Sequence, residues 1–111
     1  MIYKQYKSKD LIGKYFPSKN GEIVHLSVQS RPNTYLKIQE EGLPAKFYKI
    51  GTVGVLEWDN ISLNIHLTND LTKKIIINVV NEDKVSFFED AIIDILYNTE
   101  KEEDLNLETR G

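Results

Sequence analysis

The chain of 111 residues contains no cysteine and no long apolar run. Without cysteine it has no disulfide, no thiolate nucleophile and no cysteine-ligated zinc or iron–sulfur site. The opening MIYKQYKSKD lacks the apolar stretch of a secretory signal, and apolar runs such as Ile75–Ile77 are far short of the roughly 20 residues that a transmembrane helix needs. We therefore expect one cytoplasmic domain with no membrane partner.

Catalytic groups are also scarce. The two histidines, His25 and His66, would have to converge from separate strands to form an acid–base or metal pair, and half-exposed histidines without such a role are the better interpretation. No serine lies in a Gly-x-Ser-x-Gly turn. The carboxylates near the C-terminus lack the spacing of a calcium loop, and Gly51 and Gly54 favour a chain corner over a phosphate clamp. We predict a protein that is not an enzyme and that has no cofactor and no metal site.

Strand patterns fill the middle of the chain. Apolar residues alternate with polar ones, or β-branched residues run together, in the segments 22–29, 34–39, 45–50, 52–58, 61–68 and 75–80. We expect the first two segments to pair as a hairpin through the turn at Ser30–Asn33. We also expect the last two to pair through the turn after Asn69.

A helix is predicted near the C-terminus. Ser86 and Glu89 have the spacing of a capping box, and apolar residues recur every three or four positions from Val85 to Leu96. A shorter helix or turn is predicted around Ser8–Tyr15. The fold class is therefore α+β: a mainly antiparallel barrel or strongly bent sheet of about six strands, closed by the C-terminal amphipathic helix.

We divide the chain into a β-rich domain at residues 1–98 and an acidic, solvated tail at residues 99–111. The expected core consists of Val24, Leu26, Val28, Val55, Ile61, Leu63, Ile65, Leu67, Ile75, Ile77, Val79, Phe88, Ile92, Ile95 and Leu96.

Charge is divided unevenly along the chain. Residues 1–50 carry nine Lys and Arg against four Asp and Glu, whereas residues 51–111 carry five against thirteen. The basic half also holds seven of the eleven aromatic residues. Lysine can contact phosphate and tyrosine can stack on an unpaired base, so this half is a candidate RNA surface. The residues that we predict to bind nucleic acid are Lys4, Lys7, Lys9, Lys14, Tyr15, Arg31 and Lys37. In the alternative interpretation, the tyrosines pack in the fold and the lysines keep an edge strand soluble.

The opening MIYKQYKSKDLIGKYF and the overall length resemble the PUA-like, PrgU-type small regulators of Gram-positive conjugative plasmids, which limit production of a surface adhesin. The succession of strands followed by Val85–Tyr97 is similar to that of bacterial PH-like domains. The first resemblance implies a barrel that binds RNA, encoded on a mobile element.

Two functional hypotheses follow. The first is a small non-enzymatic regulator that binds RNA through its basic, aromatic N-terminal half. The alternative is an adaptor or inhibitor that binds a protein partner through an edge strand or through the acidic C-terminal helix and tail.

Overall fold

The computed structural model describes residues 1–16, 22–51, 58–63, 74–99 and 106–110. These residues form β-strands and one 3-10 helix, and they contain no α-helix. None of them forms a helix of the length and apolarity needed to span a bilayer. In chain order the elements are β1 Ile2–Lys7, the 3-10 helix Ser8–Leu11, β2 Lys14–Tyr15, β3 Glu22–Ser30, β4 Thr34–Glu40, β5 Lys46–Ile50, β6 Asp59–Leu63, β7 Ile75–Val80, β8 Ile92–Asn98 and β9 Glu108–Thr109.

The first sheet contains four antiparallel strands in the order β1, β8, β3, β6. Burial alternates along β8, where Ile93, Ile95 and Tyr97 are buried and the residues between them are half-buried. The register between β3 and β8 shifts after Ile23, which leaves Val24 as the extra residue of a β-bulge. One face of this sheet therefore packs in the core, and the other is mainly polar and partly exposed.

The second sheet contains β5, β4 and β7, again antiparallel. Strand β7 forms one edge of this sheet, and there Ile75 exchanges two backbone hydrogen bonds with Phe16, at 2.7 and 3.1 Å. Phe16 directly follows β2, so these bonds connect the sheet to the small antiparallel pair formed by β2 and β9. The Arg110 amide also donates to the Gly13 carbonyl at 2.7 Å. Residues 106–110 of the predicted tail are thus attached to the fold, while residues 100–105 lie outside the described part.

The chain changes from the first sheet to the second at a corner between β3 and β4. The Thr34 hydroxyl donates to the Arg31 carbonyl at 2.7 Å and lies 2.8 Å from the Ser30 hydroxyl. A Cβ on Gly51, whose φ is +75°, would lie 2.9 Å from the Pro32 Cα, so only glycine fits beside this corner.

The core lies between the two sheets. Buried side chains of the two sheets form one cluster with Leu11 and Phe16, which come from the segment that joins β1 to the second sheet. Of the predicted core, the residues that are buried are Leu26, Val28, Ile75, Ile77, Val79 and Ile95. Those that are only half-buried are Val24, Ile61, Phe88, Ile92 and Leu96. Val55, Ile65, Leu67 and the Leu63 side chain fall outside the described part of the structure.

The predicted α+β class is wrong, because the segment assigned to the closing helix is a loop followed by β8. Apolar residues also alternate at Ala91, Ile93, Ile95 and Tyr97, and pairing with β1 and β3 on both sides stabilises that strand. The barrel is wrong as well, because the two sheets remain separate in the described residues.

The first predicted hairpin is wrong in its pairing, and the described part of the second is not paired as predicted either. The strand at Glu22–Ser30 pairs with β6 and β8, not with Thr34–Glu40, because the corner at Ser30–Thr34 takes the chain into the other sheet. Asp59–Leu63 likewise belongs to the first sheet and Ile75–Val80 to the second. Near the N-terminus, the predicted short helix or turn contains the 3-10 helix Ser8–Leu11.

Candidate nucleic-acid interface

The N-terminal lysines that we predicted to bind RNA are spread over several elements. Lys4 and Lys7 lie on opposite faces of β1, which is an edge strand of the first sheet. Lys9 lies exposed in the 3-10 helix. Lys14 lies on β2, where its Nζ donates to the Thr109 hydroxyl at 3.2 Å. The structure does not collect these four cations on one face.

Tyr15 already has cations against its ring. The Lys74 Nζ lies 5.0 Å and the Arg110 Cζ 5.8 Å from the ring centroid. Lys74 also forms an ion pair with Glu108, with 3.3 Å between Nζ and Oε2. Two cations therefore lie against the Tyr15 ring, and one of them is also held by Glu108.

Arg31 lies at the corner between the sheets. Its Cζ is 4.5 Å from the centroid of the Phe88 ring, which in turn makes an edge contact with Trp58. Its Nη2 donates to the Asn81 side-chain oxygen at 2.6 Å. Arg31 is therefore exposed but held in place, beside the loop that follows β7.

Lys37 lies within a group of rings and cations on the outward side of β4 and β5. The register places Tyr35 opposite Lys49 and Lys37 opposite Phe47, and paired residues of antiparallel strands share a face. Leu36 and Tyr48, which alternate with them, point toward the core instead. Cations and rings therefore alternate along the strands and across them.

The loop after β7 adds one more ring and one more cation to this surface. Val80 pairs with Tyr35 on one side and with Phe87 on the other, so Phe87 belongs to the same face. The Lys84 Nζ lies 4.9 Å from the Tyr35 centroid and 5.5 Å from the Phe47 centroid. We call this surface the basic–aromatic face; its members are Tyr35, Lys37, Phe47, Lys49, Lys84 and Phe87.

The loop at residues 81–87 is held by hydrogen bonds to side chains. The Asp83 Oδ1 accepts from the amides of Val85 and Ser86, each at 2.9 Å, and the Ser86 hydroxyl donates to Oδ2 at 2.7 Å. The Asn81 side-chain nitrogen donates to the Ser86 hydroxyl at 3.2 Å. Lys84, at the centre of this network, has a φ of 60°, in the left-handed region that a lysine rarely adopts.

The strand part of the basic–aromatic face is positive, although the protein as a whole carries a net charge of −3. The strand residues that share it include no Asp or Glu. Within the part of the chain that the structure describes, no carboxylate lies within ion-pair distance of Lys37 or Lys49. Phe47 and Phe87 are 37% and 39% exposed, so their rings are accessible to a ligand.

We expect the loop to keep its conformation at neutral pH and to lose it only in acid. Hydrogen bonds from the Val85 amide, the Ser86 hydroxyl and the Ser86 amide hold the pKa of Asp83 below its ordinary value. Since the folded pKa is lowered, this stabilisation is complete above the ordinary pKa of about 4 and is lost as the pH falls through the lowered value. The measurement is the chemical shift of the Val85 and Ser86 amides against pH in wild type and in Asp83→Ala. A wild-type transition near pH 6 would contradict the assignment.

The structure describes one of the two histidines. His25 lies on the polar face of the first sheet, where its Nε2 is 3.4 Å from the Ser62 hydroxyl, and His66 is outside the described residues. Asp94 accepts hydrogen bonds from the Tyr3 hydroxyl at 2.5 Å and from the Gln5 amide at 2.9 Å. The bond to Asp94 raises the pKa of Tyr3. No group of three or more His, Asp or Glu residues able to hold a metal ion is found among the described residues.

Of the members of the basic–aromatic face, only Lys37 was predicted from the sequence as a binding residue. Tyr35, Phe47 and Lys49 at least lie in the basic half of the chain, whereas Lys84 and Phe87 do not. They belong to the acidic half of the chain, in a segment with the spacing of a helix. The Asp83 to Ser86 spacing could have indicated a side-chain-capped turn there. No local signal connects that turn to β4, because the connection depends on the pairing of β7.

The comparisons with known proteins place the chain in no family. No protein-family model, no curated protein and no solved structure matches it.

Proposed function

We propose that this protein is a small non-enzymatic regulator that binds single-stranded RNA across the basic–aromatic face. The observation that carries the proposal is the cross-strand alternation of Tyr35 with Lys49 and of Lys37 with Phe47. The rings supply surfaces on which bases stack, and the lysines between them supply contacts for the phosphates that link those bases.

The shape of the surface favours a single strand over a duplex. The rings lie on the outward side of two paired strands, and a base can reach them only when it is not stacked within a helix. Double-stranded RNA is instead bound through its shallow groove and its 2′-hydroxyls, contacts that do not use stacking rings. An acidic domain can still bind RNA through such a surface, because screening limits the influence of distant carboxylates to roughly 8 Å at physiological salt.

Lys37 is the one residue that both the sequence and the basic–aromatic face assign to RNA binding. The other predicted contacts, Lys4, Lys7, Lys9, Lys14, Tyr15 and Arg31, stay predictions, and the proposal does not depend on them. The relation to PrgU-type plasmid regulators and a cytoplasmic location likewise stay expectations from the sequence. The alternative of a protein-binding adaptor now depends on an edge strand such as β1 or on the acidic tail, since the described residues 74–99 contain no helix.

Binding should weaken as salt rises. If Lys37, Lys49 and Lys84 each neutralise one phosphate, the logarithm of the association constant should fall with the logarithm of salt concentration at a slope of about −2. Lys49→Gln should make the slope shallower by about 0.7. The measurement is fluorescence anisotropy of a labelled single-stranded RNA of random sequence at several salt concentrations.

Lys46→Gln is the matched control. Lys46 is exposed on the same strand as Lys49, but it pairs with Ile38, on the core side of the sheet. If Lys46→Gln and Lys49→Gln change RNA affinity and its salt dependence equally, the basic–aromatic face has no specific role in binding. If Lys4→Gln, Lys7→Gln and Lys9→Gln weaken RNA binding more than Lys49→Gln does, the RNA-binding site would lie in the N-terminal segment instead. Capture of one stoichiometric protein and no RNA by the tagged chain in its host would favour the adaptor.

A further inference from the structure

Lys84 occupies the position over the rings that a base would take. Its Nζ lies within cation–π distance of both Tyr35 and Phe47, at 4.9 and 5.5 Å from their centroids. A base that stacks on either ring from the same side would meet the lysine side chain. In the described structure Lys84 therefore covers one side of each of these two rings.

Hydrogen bonds within the loop at residues 81–87 hold the backbone of Lys84 in the position from which its side chain reaches the two rings. Asp83, which precedes Lys84, accepts hydrogen bonds from the amides of Val85 and Ser86, which follow it, and the Asn81 side chain donates to the Ser86 hydroxyl. These contacts hold Lys84 in its left-handed conformation, which costs energy for a residue with a Cβ. The turn is fixed at its ends, while the long lysine side chain can leave the rings without breaking these bonds.

We infer that Lys84 is a displaceable cover that makes the basic–aromatic face select ligands with stacking bases over simple polyanions. The inference rests on the proposed function. A base stacked on an aromatic ring gains more than an exposed ammonium does, so RNA can displace the lysine. A phosphate chain without bases can contact Lys37 and Lys49 but offers nothing to replace Lys84 over the rings.

The displacement can be observed directly by NMR of the Lys84 side chain. Protons above an aromatic ring are shielded, so the Lys84 ε-methylene signal should lie upfield of its ordinary position in the free protein. Lys84→Gly identifies the signal by its loss, and glycine accepts the left-handed φ of that position. The double variant Tyr35→Leu, Phe47→Leu gives the unshielded position. The two ligands compared are a short oligouridylate and tripolyphosphate.

We expect the oligouridylate to move the Lys84 signal to the unshielded position in proportion to saturation, and tripolyphosphate to leave it upfield. If the signal stays upfield at saturating oligouridylate, RNA does not displace Lys84 and the inference of a displaceable cover is wrong, whereas the proposal of RNA binding stands. Displacement by tripolyphosphate as well would overturn the selectivity. Absence of oligouridylate binding at low salt would instead overturn the proposed function, and the cover with it.

Discussion

Replacing Tyr35 and Phe47 together with leucine should lower the affinity for single-stranded RNA by about 30-fold or more. Each base stacked on an aromatic ring contributes ~1–3 kcal/mol, so two lost rings remove at least about 2 kcal/mol of binding free energy. Leucine keeps an apolar side chain on the sheet surface, which preserves cross-strand packing with Lys49 and Lys37. The measurement is the dissociation constant for a random-sequence single strand at fixed salt.

Tyr35→Phe is the control for this experiment. It keeps the ring and removes only the hydroxyl, so its affinity should stay close to that of wild type. Thermal unfolding of each variant establishes that the sheet is intact. If the double leucine variant folds and binds RNA as tightly as wild type, the rings do not stack on bases and the proposed site is excluded.

Part of this site could be predicted from the sequence. The excess of cations and rings in residues 1–50 located the basic half, and alternation predicted the strand at 34–39. Period-two geometry alone places Tyr35 and Lys37 on the same face of that strand. Lys37 was assigned to RNA binding from the excess of cations in residues 1–50 alone, and it lies in the basic–aromatic face.

The rest of the site depends on pairing between distant segments. Phe87 reaches this face because β7 lies between it and Tyr35, and the pairing of Val80 with both is set by the whole sheet. Lys84 reaches the rings because a hydrogen-bonded turn projects it across the sheet. Charge counts along the chain could not show this, since Lys84 lies in the half with an excess of carboxylates.

Local turn signals also misled the pairing of strands. The segment Ser30–Asn33 has the composition of a hairpin turn, yet it joins two different sheets. The deciding contacts are the Thr34 hydroxyl on the Arg31 carbonyl and the Asn33 amide on the Ile50 carbonyl, at 2.7 and 3.1 Å. The second of these contacts comes from a strand that is distant in sequence.

The burial of Ile92 and Ile93 in the structure is the reverse of the burial expected from the predicted helix. In a helix with the apolar stripe from Val85 to Leu96, Ile92 would face the core and Ile93 would lie beside the stripe. In β8, Ile93 is fully buried among the core residues and Ile92 is half-buried on the other face. Ile93→Ala should therefore lower the free energy of unfolding by about 2–5 kcal/mol, the range for deleting a buried isoleucine side chain.

Ile92→Ala should cost only about 1 kcal/mol, because solvent and neighbouring polar side chains already contact that face. Urea unfolding of the two variants, followed by circular dichroism, measures both values, and equal m-values would show that the same surface unfolds. The two losses in the free energy of unfolding can be compared directly, because the two substitutions delete the same atoms at adjacent positions. A larger loss at Ile92 than at Ile93 would contradict the strand and restore the helical arrangement. The reverse order would show that pairing with β1 and β3, and not helical spacing, determines which isoleucine the core contains.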